Sequence, residues 1–404
     1  MDPLPLLNFF TKHASEQAKL GSPDFWPVKE RVPSRRSPDV TKAFAKLLDT
    51  LATICVSKES GQKVAMTVTL PPDGRVIITL SESSRELEDT LKFLPRLWCA
   101  LNSLPCNSPD RAVFDILRAV LDSTSETDAP TQAQMDHLVA QMHALQDHCE
   151  ALSHAAATVQ QWLDEYARGS DEPAGFPLRR YLTGCLALYF NTLSLIDTAA
   201  TDMDLRGMFG RPLHIKALQP DVSPLDYPLD KSFWESYLAD IVDRCEIIGA
   251  KNPKLRRALD EEVTHAIETA KEMTSAPLHC ELRLLNHHQQ LLASPPEKEV
   301  AEESATPPQN YIGTSEPPCY ACGIFIDAYR TKSEDVFNPM YTQGPNRRLQ
   351  VPWAMPKFGN AKVDRSIQRS VFITFCLNYA KFIGYQFGFH RLPENTDTMF
   401  KWQW

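Results

Sequence analysis

The hydrophobic positions change period several times along the chain, and those changes divide it. Residues 1–40 hold Pro, Ser and scattered charge without a sustained period, which predicts an N-terminal arm. From Thr41 onward, Phe44, Leu47, Leu48, Leu51 and Ile54 recur at helical spacing and predict an amphipathic helix of about four turns. The period then drops to two. Val64, Met66, Val68 and Leu70 alternate with polar residues, Pro71-Pro72-Asp73-Gly74 supplies a turn, and Val76, Ile77, Ile78 and Leu80 follow, which predicts a β-hairpin over 63–81.

From Ser83 to about Met273 the pattern is helical, interrupted by a Pro- and Gly-rich stretch over 205–228. The longest predicted helix runs from Met135 to Leu163, where apolar residues keep a spacing of three to four over more than about seven turns. Leu278, Leu282 and Leu285 share one face of a further helix that begins near Pro277. A Pro-rich acidic linker follows over 294–309, and Tyr311 to Ser315 reads as a short strand. A helix over 319–330 is entered through Pro317-Pro318, and another is predicted over 363–383 before a polar tail at 393–404.

Composition adds bounds. With 404 residues, 43% hydrophobic and 23% charged, the chain has the make-up of an ordinary globular protein with ample core. No secretory signal pattern opens it, and its longest uncharged run, Tyr181 to Ile196, is shorter than the roughly 18 apolar residues of a membrane span. The expected location is cytoplasm or nucleus, with no membrane partner. A net charge of −9 argues against coating nucleic acid by bulk electrostatics. Positive charge is nevertheless concentrated between Tyr341 and Leu392, where Arg347, Arg348, Lys357, Lys362, Arg365, Arg369, Lys381 and Arg391 face a single acid, Asp364, and predict a basic face.

Candidate chemistry centres on the cysteines. Most of the ten are single residues in apolar patterns, as in a reducing compartment, and one pair, Cys319 and Cys322, has ligand spacing. A Pro-Cys-x-x-Cys is expected by chance roughly 0.02 times in a chain with this many Pro and Cys. Two thiols one turn apart at a helix start are favoured as thiolates and suit a metal. Upstream, His279-Cys280-Glu281 places an imidazole and a carboxylate on a first helical turn. The triplet alone is weak evidence, since His148-Cys149-Glu150 repeats it inside the long helix, away from any cysteine pair. A helix with His-x-Glu, a strand, then Pro-Cys-x-x-Cys is the arrangement that zinc deaminases use to hold Zn²⁺ with three ligands beside a proton-carrying glutamate.

On these residues the chain resembles the cytidine-deaminase superfamily and, more narrowly, the Orientia-toxin-like deaminase family common in fungi. Tyr311-Ile312-Gly313-Thr314-Ser315 leading into Cys319 and Cys322, and Trp353-Ala354-Met355-Pro356 downstream, are similar to the family's pattern. Gly344 is followed by Pro345-Asn346-Arg347-Arg348, where relatives often carry small residues and His. The resemblance implies a three-layer α/β/α deaminase fold with a large all-helical insertion. Its first part would be 41–82, the insertion 83–273 and the second part 274–392. It also implies zinc held by His279, Cys319 and Cys322, Glu281 as the catalytic acid and base, and substrate contacts from Arg347, Arg348 and Trp353. The implied substrate is a nucleobase in a nucleotide or in single-stranded RNA or DNA. The other reading is an inactive scaffold whose zinc is structural, with a fourth ligand among His287, His288, Cys376 and His390, and whose helical insertion binds a protein partner.

Overall fold

The computed structural model describes residues 2–10, 40–56, 62–83, 88–102, 191, 194–195, 202–244, 253–293, 306–332, 338–345 and 349–386. The predicted helix at 135–163, with the second His-Cys-Glu, lies outside the described residues, as do Arg347, Arg348 and the tail. Two compact units form, each from separate pieces of chain. One comprises Pro38–Gln219 and Lys298–Glu316, and the other Met1–Ser37, Pro220–Glu297 and Pro317–Trp404. We call them the sheet unit and the site unit.

In the sheet unit, Thr41 caps helix α1 (Lys42–Ile54) by accepting a hydrogen bond from the Phe44 amide at 3.1 Å. The stripe predicted from the sequence, Phe44, Leu47, Leu48, Leu51 and Ile54, is the buried face. The hairpin forms as expected: β1 (Val64–Thr69) pairs antiparallel with β2 (Val76–Glu82), and Gly74 turns between them at a φ of 82° that an L side chain resists. Every residue of both strands is buried, polar ones included, so both faces of the hairpin are covered.

The stretch 83–273 departs from its all-helical expectation. Helices α2 (Glu88–Asn102) and α3 (Met203–Phe209) are followed by a strand, β3 (Leu213–Leu218), which pairs parallel with β2. Alternating Leu213, Ile215 and Ala217 carry that strand. A parallel neighbour needs a crossover, and α2 and α3 are its described parts. Trp98 of α2 fixes the return by donating to the Arg211 carbonyl at 3.1 Å and tilting against Phe209 with ring centroids 4.7 Å apart. On the other edge, β6 (Gly313–Thr314) pairs antiparallel with β1, giving the order β3-β2-β1-β6.

Strand β6 is laid tightly on α1. A Cβ added at Gly313 would stand 2.5 Å from the Leu48 Cβ and 2.6 Å from its backbone carbon, so only glycine lets the two backbones approach this closely. Asp49 of α1 then takes a bond from the Tyr311 hydroxyl at 2.6 Å and one from the Thr314 amide at 2.9 Å. Ser315 continues the attachment, accepting from the Val64 amide at 3.0 Å.

The site unit is mostly helical. It holds a two-stranded antiparallel ribbon of β4 (Val222–Pro224) and β5 (Ser275–Pro277), and helices α4 (Lys231–Arg244), α5 (Pro253–Glu272), α6 (Cys280–Ala293), α7 (Tyr320–Lys332) and α8 (Ala361–Gln386). Residues 4–10, expected within an arm, are instead helical, with Leu6, Leu7, Phe9 and Phe10 buried. Phe9 packs against Trp234, Tyr237 and Tyr379, and Phe10 packs against Phe375 and Tyr379. Among the described residues no helix is long and apolar enough to cross a membrane. The fold class is thus mixed α/β, with helices and a mixed sheet.

Candidate metal centre

Two helix starts build the site. The residue before His279 is pinned twice: the Leu278 amide donates to the Asp221 carbonyl at 3.1 Å, and the Leu278 carbonyl accepts from an Arg283 Nη at 3.0 Å. His279 then stands immediately before α6, its carbonyl accepting the first helical bond, from the Arg283 amide at 2.9 Å. Cys319 repeats the arrangement one element later, immediately before α7, with the Gly323 amide donating to its carbonyl at 2.9 Å. Backbone positioned by a cap leaves little freedom to the side chain it carries. Two of the three candidate ligands therefore sit at helix starts whose backbone is held by hydrogen bonds.

His279 Nδ1 lies 3.5 Å from Cys319 Sγ and 3.2 Å from Cys322 Sγ. Its Nε2 is 3.2 Å from the Pro352 carbonyl. With Nε2–H donating to that oxygen, the free lone pair is on Nδ1 and faces the sulfurs, as in metal-bound histidines whose other ring nitrogen is held by a carbonyl. Trp353, next along the chain, donates its indole N–H to Cys322 Sγ at 3.3 Å. One short stretch, Pro352-Trp353, thus sets the orientation of both His279 and Cys322.

The three donor atoms lie within 4.8 Å of one another. Donors bound tetrahedrally at zinc bond lengths stand about 3.5–3.8 Å apart, so the cluster needs only small adjustment to close on an ion. One imidazole and two thiols form a borderline-soft set that suits zinc better than magnesium or calcium. Among the described residues no fourth His, Cys, Asp or Glu joins the cluster. Cys280, between His279 and Glu281, is buried outside it.

Charge is distributed unevenly over the thiols. Burial opposes ionisation of Cys319, yet hydrogen bonds with Cys322 and His279 outweigh it and hold that thiol well below its ordinary range. Cys322 is pushed well above the range by burial, by the charge on Cys319 and by the neighbouring Glu281 carboxylate. For His279, burial favours the neutral ring, but the hydrogen bond and charge of Cys319 prevail and raise its pKa. Thiols this close share negative charge poorly without a cation between them. Glu281 is only 6% exposed and its charge reaches His279, Cys322 and Arg283, so it borders the cluster without belonging to it.

A glycine decides the next layer. A Cβ at Gly323 would fall 2.5 Å from the Pro345 Cβ, so the segment 338–345 lies flush on the first turn of α7, beside Cys322. Its start is held by Tyr329, whose hydroxyl donates to the Asn338 carbonyl at 2.7 Å and accepts from Gln289 at 2.7 Å.

Sequence reasoning named His279, Glu281, Cys319 and Cys322, and the structure brings them together. Trp353, expected at the substrate, is 1% exposed and lies between Phe325 and Phe375 with its N–H on sulfur. Three participants were not foreseen. They are the Pro352 carbonyl, which has no side-chain signal, Arg283, whose place one helical turn after His279 hinted at a link to that turn, and Gly323, adjacent to Cys322.

Residues 278–357 match the model of the OTT_1508-like deaminase family. No curated protein and no solved structure matches the chain. The matched segment contains both helix starts, the three candidate ligands, Glu281 and the Pro352-Trp353 support, and over it the chain is similar to the OTT_1508-like deaminase family.

Proposed function

We propose that the chain is a zinc-dependent hydrolytic deaminase of a nucleobase, with His279, Cys319 and Cys322 as ligands and Glu281 as proton carrier. The observation that carries this reading is the incomplete donor set. Three side chains converge, no fourth donor joins them among the described residues, and a buried carboxylate stands beside them. Structural zinc sites are closed by four protein ligands, whereas catalytic ones keep a position open. When bound, zinc would supply Lewis acidity and bring the pKa of water to about 7.

The chain's own residues account for the rest. Glu281 accepts a proton at a carboxylate oxygen, returns it to the ring nitrogen of the base, and serves the departing amine in the same way. Burial keeps that carboxylate close to the reacting atoms and away from competing water. The Pro352 carbonyl holds His279 in one tautomer, and Trp353 steadies Cys322. We read Trp353 as a positioning residue, since its buried ring leaves no face for a base. Arg347 and Arg348 are the proposed phosphate contacts of a nucleotide or single-stranded nucleic acid. The three-layer deaminase architecture, assembled from 41–82 and 274–392 around an insertion, belongs to the same proposal.

Glu281→Ala tests the mechanism. Nucleosides and single-stranded oligonucleotides are screened by mass spectrometry for the change of about one dalton that replaces an amine by a carbonyl. The expected outcome is product from the unaltered chain and none from the variant, with zinc retained by both. Undiminished turnover in the variant removes Glu281 from the mechanism. Failure of every base-containing substrate with the unaltered zinc-loaded chain, together with unfolding of Cys319→Ser, would favour the scaffold.

A further inference from the structure

One ring in the site unit touches the supports of both cysteines. Phe375 of α8 is completely buried. It stacks on Tyr320 with centroids 6.0 Å apart and an interplanar angle of 19°, and it meets Trp353 edge-on at 6.3 Å and 62°. Tyr320 follows Cys319 directly and is further tied to α8 by a hydrogen bond with Asn378. Trp353 carries the N–H that bonds Cys322. Behind Phe375 stands Phe10, edge-on at 6.0 Å and 79°. An unbroken series of rings therefore runs from residues 4–10 to the thiols.

We infer that Phe10 is a positioning residue of the metal centre, acting through Phe375 on Tyr320 and Trp353. The inference rests on the metal-site reading given above. Its physical basis is the close packing of protein interiors, where a ring held on both sides keeps one orientation and a ring that loses a neighbour gains others. Phe375 is held by Tyr320 and Trp353 on the site side and by Phe10 behind. Without Phe10, the stack on Tyr320 and the edge contact with Trp353 loosen together, and the Trp353 donor drifts from Cys322 Sγ. Loss of a partner that orients a metal ligand typically weakens binding 10- to 100-fold, and a residue acting through two intermediates falls at or below the low end of that range.

Phe9 provides the control. It is equally buried on the same short helix and packs against Trp234, Tyr237 and Tyr379, sharing Tyr379 with Phe10, whereas Phe10 also packs directly on Phe375. Both substitutions empty the same kind of apolar space beside Tyr379, and Phe10→Ala in addition removes the ring packed behind Phe375.

The test uses the 404-residue chain with zinc affinity read by competition against a chromophoric chelator, and the cobalt-substituted chain with its thiolate-to-cobalt charge-transfer band. Phe10→Ala is expected to weaken zinc by roughly tenfold and to shift the cobalt band. Phe9→Ala should leave both within twofold of the unaltered chain while lowering the denaturation midpoint comparably. If Phe10→Ala does not fold, Phe10→Leu is read in the same way, with a several-fold loss expected. Equal zinc affinity in the Phe9 and Phe10 variants, with the same cobalt band, overturns the inference and leaves the metal site standing. Failure of the unaltered chain to bind zinc at all overturns both.

Discussion

The indole N–H of Trp353 bonds a cysteine sulfur, an unusual use of a side chain that carries a single donor. On a zinc-bound Cys322 such a bond would draw charge off the sulfur and fix its direction, so Trp353→Phe, which keeps a ring and removes the donor, separates packing from polarity. Zinc affinity by chelator competition is expected to fall about tenfold with the fold intact. Asp49 offers a test in the sheet unit. Burial pushes its carboxyl up from 3.8 to about 6, with the bonds from Tyr311 and Thr314 opposing the rise. Between those two values the folded chain keeps a proton that the unfolded chain has lost. This contribution is therefore fully present below about pH 4 and is lost as pH rises through about 6, by at most roughly 3 kcal/mol. Asp49→Asn removes it, so urea midpoints taken from pH 4 to 7 should fall with pH more steeply in the unaltered chain than in the variant.

Among the elements, Gly313 marks where two backbones meet. Gly313→Ala would push a methyl against the backbone of Leu48 and drive β6 off α1, at an expected cost of about 3 kcal/mol in urea denaturation. How much of this was legible in the sequence follows from the kind of force involved. Helix α1 and the hairpin announced themselves because one face of each period is apolar and their caps and turns use residues of special geometry. The candidate ligands were legible because metal chemistry admits few residue types. Strand β3 escaped notice because six residues with a half-buried pattern, set among Pro and Gly, give little periodicity, although Leu213, Ile215 and Ala217 do alternate. Residues 4–10 were read as an arm because a single buried turn or two has no period long enough to measure, and their burial is decided by Trp234, Tyr237 and Phe375, hundreds of positions away in the chain. The hydrogen bond to the Pro352 carbonyl was invisible for a simpler reason: any residue could have supplied that oxygen.

Over the whole molecule, an ion at the site would join the turn after β5 to the start of α7, two places that are far apart in sequence. Binding to the folded state alone adds stability by mass action, about 4 kcal/mol at a free zinc concentration a thousandfold above Kd. Chelation is thus expected to lower the denaturation midpoint of the unaltered chain and to leave that of Cys319→Ser unchanged, as read by circular dichroism with and without chelator. The sheet carries a different long-range demand. Strand β1 has β2 beside it almost at once, but its other neighbour arrives with Ser315, which is 251 residues beyond Val64. During synthesis both edges of the hairpin stay unpaired until β3 emerges, and the β1 edge stays so until β6 follows. Pairings of such separation slow folding and leave apolar strands exposed to other chains. This protein should therefore depend on chaperones for its yield far more than its composition suggests, because the edge that β6 covers, held by its bonds to Asp49, is closed only when the last third of the chain emerges.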